Sequence, residues 1–165
     1  MSGMKHFCLV IAALGTLSIG STAMAQGAVS ALKGHNADAP IDVASDRIEV
    51  QDRADRAVFS GNVKVRQSEL TLDTQRLTLS YSSGDGVKIN RLDASGGVVV
   101  RSPSETARGN FGIYDLNRKL ITLIGAVQLN RGGSQINGQR LTIDLNSGRA
   151  VVDGGQAGSA RAAVG

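Results

Sequence analysis

Gly109-Asn110-Phe111-Gly112-Ile113-Tyr114-Asp115-Leu116-Asn117 aligns without a gap on Gly138-Gln139-Arg140-Leu141-Thr142-Ile143-Asp144-Leu145-Asn146, 29 residues further on. The same interval relates Ser45-Asp46-Arg47-Ile48-Glu49-Val50 to Thr74-Gln75-Arg76-Leu77-Thr78-Leu79. Gly96, Gly125 and Gly154 are also 29 apart, while Gly61 precedes Gly96 by 35. The six extra residues predict an enlarged turn over residues 84–89. A repeat of this length is one supersecondary unit that cannot bury its apolar face alone and must stack on its neighbours.

Within the unit the local pattern is that of strands. Val63-Lys64-Val65, Leu70-Thr71-Leu72, Leu77-Thr78-Leu79, Val127-Gln128-Leu129 and Leu141-Thr142-Ile143 alternate apolar with polar residues, the period-two signature of a half-buried strand. Turn clusters separate them: Ser82-Ser83-Gly84-Asp85-Gly86, Arg131-Gly132-Gly133-Ser134 and Asn146-Ser147-Gly148. The expected fold class is therefore all-β, built from repeated antiparallel strand pairs.

The repeat also selects the inward face. Phe111 and Ile113 are apolar, yet their counterparts one repeat later are Arg140 and Thr142, whereas Tyr114 and Leu116 match Ile143 and Leu145. A one-residue slip would turn every side chain to the other face. The interior set on this register is Ile48, Val50, Phe59, Val63, Val65, Leu77, Leu79, Val98, Val100, Tyr114, Leu116, Leu123, Val127, Leu129, Leu141 and Ile143. Phe111 is expected outside or at an edge, and Arg47, Arg76 and Arg140 share an outward position.

The chain opens like an export signal. Lys5 and His6 precede an apolar run over residues 7–19, and Ala23-Met24-Ala25 offers small residues for cleavage before Gln26. Residues 1–25 are thus expected to be removed and the rest to lie outside the cytoplasm. Residues 26–39, rich in Ala, Gly and small polar residues, read as a flexible leader; residues 40–152 form the domain; the low-complexity tail, residues 153–165, reads as disordered. Removing Lys5 with the signal lowers the formal charge from +4 to +3. Charges of both signs are scattered, and the four aromatics beyond the signal, Phe59, Tyr81, Phe111 and Tyr114, are too dispersed to stack on bases, so nucleic acid is not an expected partner.

The residues hold little catalytic chemistry. The one cysteine, Cys8, lies in the signal, which removes disulfides, thiolate metal ligands and a Cys nucleophile from the exported chain. The histidines are His6 in the signal and His35 in the leader, neither well placed for a Ser-His-Asp triad or a zinc site. Asp52 and Asp55 read as solvated turn acids rather than a glycosidase pair. The Gly-rich stretches lack a following helix, which argues against a phosphate loop, and no nine-residue calcium repeat is present. No catalytic residue, metal or cofactor is expected. What remains is the aliphatic stripe, which by itself implies only a core.

Two stretches add to this. Pro40-Ile41-Asp42-Val43-Ala44-Ser45-Asp46 is followed by Ala57-Val58-Phe59-Ser60-Gly61-Asn62-Val63-Lys64-Val65, and later come Leu123-Ile124-Gly125-Ala126-Val127 and Ile136-Asn137-Gly138-Gln139-Arg140-Leu141. Together they resemble the LptA/OstA-like family of lipopolysaccharide-transport proteins, over about residues 40–152. The resemblance implies a β-jellyroll open at both ends, in the bacterial periplasm, whose apolar groove holds the acyl chains of lipid A. It adds Ile41 and Val43 to the interior set, makes that whole set lipid-binding, and implies a non-enzymatic carrier. Implied partners are lipopolysaccharide, the inner- and outer-membrane components of the transport machinery, and further copies joined head to tail through edge strands. The alternatives are a membrane-anchored component of the same machinery, with an uncleaved first segment, and a β-helical carbohydrate-binding or adhesin module, which calls for aromatic-rich exposed strands.

Overall fold

A computed structural model describes residues 35–155 and the backbone of residues 161–164. The predicted signal, Cys8 and most of the leader lie outside the described residues. Ten strands form one antiparallel sheet: β1 (Asp42–Ala44), β2 (Arg47–Gln51), β3 (Arg56–Gln67), β4 (Leu70–Ser83), β5 (Val87–Arg101), β6 (Glu105–Asp115), β7 (Leu120–Arg131), β8 (Ser134–Asp144), β9 (Arg149–Asp153) and β10 (Arg161–Val164). Strands β3 to β8 follow one another as hairpins. At one end of the sheet β1 and β2 both pair with β3, and at the other β9 and β10 both pair with β8.

The 29-residue period has a physical cause. Every pairing from β3/β4 to β7/β8 breaks register near mid-strand, and β4/β5 breaks a second time between Ser80 and Tyr81. Ser60 pairs with Arg76 and Val63 with Thr74, so Gly61 and Asn62 together oppose Gln75 alone. This two-against-one arrangement is a β-bulge, which bends the strand. Gly96 and Gly97, then Gly125 and Ala126, take the same place in β5 and β7, and all six residues have positive φ, from 45° to 84°. A Cβ on each repeat glycine would meet the side chain opposite it: Asp46 for Gly61, Gln75 for Gly96, Asn110 for Gly125 and Gln139 for Gly154. Left-handed backbone and close approach together restrict these positions to glycine.

The line of bulges is a crease dividing the sheet into two limbs. The first limb holds β2, β9 and the crease-to-turn parts of β3–β8 that include Phe59, Leu77, Tyr114 and Leu141. The second holds β1, β10 and the parts that include Val65, Leu72, Val100 and Leu129. One apolar cluster takes side chains from both limbs, so their inner faces pack on each other. Because the even strands carry one residue at the bulge where the odd strands carry two, inward parity flips along β4, β6 and β8 but not along β3, β5 and β7.

Three expectations are corrected. The six extra residues do not make a large turn: they lengthen the β4–β5 hairpin, whose turn is only residues 84–86. The end of the leader is ordered against the domain, with Ala37 buried in the core cluster. The tail is not uniformly unstructured, since Asp153 belongs to β9 and Arg161–Val164 pairs with β8 through residues 134–137.

Candidate functional site

Directly paired residues of an antiparallel sheet share a face. In the first limb one inner row runs Ile48, Phe59, Leu77, Ala94, Gly112, Leu123, Leu141, Val152 across eight strands, and the next runs Val50, Ala57, Leu79, Leu92, Tyr114, Ile121, Ile143, Ala150. In the second limb Val43, Val65, Leu72, Val100, Ala107, Leu129 and Ile136 form a matching row. The result is a continuous aliphatic surface from one sheet edge to the other.

Of the residues predicted inside, Phe59, Val63, Val65, Leu77, Leu79, Val98, Val100, Tyr114, Leu123, Val127, Leu129, Leu141 and Ile143 are buried. Ile41, Val43 and Leu116 are partly buried against the same cluster. Ile48 and Val50 are not interior: they remain 55% and 60% exposed. Register places them on the inner face, opposite Phe59 and Ala57, but β2 is the last strand of its limb and none of the described residues covers it there. Phe111, at 55% exposure, faces outward as its repeat partner Arg140 does.

Sequence reasoning missed Leu92 and Ile121, although both stand four residues before a repeat glycine, as Ala57 and Ala150 do. It also missed Leu70, Leu72 and Leu145 as core, and three buried polar side chains among the described residues: Gln67, Thr74 and Glu105. Thr74 sits at the crease and donates to the Ser95 carbonyl at 2.8 Å. Glu105 lies on the inner face of the second limb, 3.8 Å from its cross-strand neighbour Arg131.

Gln67, 2% exposed, joins the limbs on the side away from the crease. Its Oε1 accepts from the Tyr114 hydroxyl at 2.8 Å and from His35 Nε2 at 3.0 Å. Its Nε2 donates to the carbonyls of Ala37 and Ala39, both at 2.9 Å. Burial, helped by the Asp38 charge and only partly offset by the bond to Gln67, pushes the Tyr114 hydroxyl up to about 12. Tyr114 is therefore a neutral donor at any ordinary pH. Among the described residues no cluster of His, Cys, Asp and Glu has the makings of a metal site.

A bent antiparallel sheet with an aliphatic inner face and two edge strands at each end is the geometry that the comparisons with known proteins match. Residues 42–149 match the model of the LptA/(LptD N-terminal domain) LPS transport protein family. The chain belongs to this family of lipopolysaccharide transport proteins. An uncharacterised protein of Rhizobium meliloti (strain 1021), R00383, is 34% identical over 154 residues, covering 88% of this chain and 83% of that protein. The crystal structure of LptH from Pseudomonas aeruginosa, described as the LptA homologous periplasmic component of the lipopolysaccharide transport device, superposes with a TM-score of 0.70. It is 16% identical, with coverage of 79% of this chain and 99% of LptH. The likeness to LptH therefore rests on the fold: an all-β jellyroll with open ends.

Proposed function

We propose that this family member is a periplasmic carrier that holds the acyl chains of lipopolysaccharide between its two limbs and bridges inner- and outer-membrane components of the transport machinery. The observation that carries the reading is the aliphatic inner face, which runs unbroken to both sheet edges and is still exposed at Ile48 and Val50. Each methylene taken from water into such a surface gains about 0.8 kcal/mol, so a long acyl chain can compete with the limbs' packing on each other. The lipid-contact residues are the inner-face set named above, now including Leu92 and Ile121. Transport is powered by partners; this chain supplies the apolar path.

The same edges account for assembly. Among the described residues, the outer edges of β1 and β2 at one end and of β9 and β10 at the other have no strand beside them and carry open backbone hydrogen-bonding groups, normally a hazard for aggregation. Strand addition between copies, or with like domains in the membrane components, satisfies them and extends the apolar path across the junction. Ile48 and Val50 of one copy would then continue the rows that end in Val152 and Ala150 of the next.

The test is photo-crosslinking in cells with a benzoylphenylalanine replacing Tyr114, Val127 or Thr142. Lipopolysaccharide should be captured at the two inward positions and not at Thr142, whose row faces out. Equal capture at all three would refute the inner face as the lipid path.

A further inference from the structure

The interior is filled by its own side chains, with Leu77, Leu123 and Leu141 fully buried. A long chain enters only where the limbs part. Along the crease they are joined by six continuous strands. On the opposite side, the mouth, the limbs meet through the Tyr114–Gln67 bond and through residues 35–40, which lie across it. Gln67 near the end of β3 holds the Ala37 and Ala39 carbonyls. Ala37 itself is buried in the core cluster. Asp38 reaches Lys119, in the turn between β6 and β7, at 3.3 Å.

The repeat is interrupted at this same place. The extra length of β4 and β5 projects past the neighbouring strands, and its β5 side borders a cleft of about 320 Å³ beside residues 37–41. Val87, Ile89 and Leu116 line one side of that cleft, and Ala37, Pro40 and Ile41 the other. Val87 is 73% exposed. Among the described residues, the lengthened hairpin thus forms a wall for the segment that crosses the mouth.

We propose that residues 35–40 are a displaceable strap latched by Gln67, and that the mouth admits acyl chains when the strap leaves. The inference rests on the carrier reading above. The strap is held weakly for a segment that closes a core. It contributes no strand pairing, its ion pair leaves Asp38 81% exposed and adds little, and its chief anchor is one side-chain amide. The latch also suits the ligand. Gln67 Nε2 donates to two carbonyl oxygens of the strap, and the carbonyl of an acyl chain offers the same acceptor once they are gone. Tyr114 holds Gln67 through Oε1, and the acyl carbonyl takes the place of the strap carbonyls at Nε2, so both ends of the buried amide keep partners.

The test uses the protein purified after export with Cys8 replaced by serine, so that D38C and K119C supply its only thiols. A reducible bis-maleimide joins the exposed position 38 to the partly exposed position 119 and pins the strap. Purified lipopolysaccharide is then added, and capture by benzoylphenylalanine in place of Val127 is followed in time. The pinned protein should load at least tenfold more slowly, with normal loading restored by reductant. Q67A, which releases both strap carbonyls, should load about tenfold faster. Loading of the pinned protein at the unpinned rate overturns the strap and leaves the carrier standing. Absence of capture in the unpinned protein removes the carrier reading and the strap together. The pinned protein retains Gln67, so the result stands even if Q67A folds poorly.

Discussion

Gly96 and Gly97 are neighbours with nearly the same backbone, φ 83° and 84°, but different surroundings. A Cβ on Gly96 would lie 2.9 Å from the Gln75 Cβ, whereas a Cβ on Gly97 meets nothing within 4 Å. The pair therefore separates the two reasons for glycine at the crease. Alanine at either position carries the left-handed penalty, about 1–2 kcal/mol, less up to about 1 kcal/mol regained from a stiffer unfolded chain. G96A adds a contact that no rotamer relieves, because the opposing atom is itself a Cβ; overpacking of that kind costs about 1–3 kcal/mol. G97A should lose about 1 kcal/mol and G96A about 2–4 kcal/mol. Urea unfolding followed by far-UV circular dichroism measures both, with an unchanged m-value as the control that the denatured state is the same. The decisive arm is Q75G, which removes the opposing Cβ: in that background the G96A loss should shrink toward that of G97A, a coupling that a double-mutant cycle reads directly. Equal losses for G96A and G97A, or no coupling to Gln75, would mean that the repeat glycines are not set by the close approach of strands at the bulge.

Three further outcomes follow from the same geometry. Leu123→Ala, at a fully buried position in the first-limb row, should cost about 3–5 kcal/mol, while Phe111→Ala at its exposed site should cost below about 1 kcal/mol; urea unfolding that ranked them the other way would reverse the assigned face. Ala126, held at φ 45° where Gly97 sits in the preceding repeat, should be stabilised or unchanged by A126G, by up to about 1 kcal/mol in thermal or urea unfolding; a clear loss would mean that its left-handed geometry carries no strain. Tyr114 holds its proton to about pH 12 when folded, above the 10.0 of an ordinary tyrosine, so the folded state binds more protons between these values and stability falls as pH rises through that window. Y114F should flatten this alkaline decline in unfolding curves taken at successive pH values, and a decline as steep as in the wild type would assign it to another group.

The sequence made the repeat, its strands and its inward face readable because each rests on a local rule repeated several times. Tyr114 was chosen over Phe111 by comparing two copies of one unit, and no single copy could have decided it. The limits of that reasoning have causes in the fold. Ile48 and Val50 obey the register yet stand exposed, because a periodic argument cannot know that β2 is the last strand of its limb. Leu72 escaped because the bulge flips parity along even strands, so its inward direction does not carry over from Leu77 by counting in twos. Gln67 left no mark at all. It is a polar residue at the end of a strand whose role depends on Tyr114, 47 residues away, and on a leader of low-complexity composition. Composition describes what a segment can bury by itself, and residues 35–40 bury almost nothing by themselves. They are ordered because the domain offers one buried amide in need of acceptors and they supply two backbone carbonyls. A segment with so little intrinsic preference for its place is also one that a competing carbonyl ligand can displace, so what hid it from the sequence is the same property that fits it to be a strap.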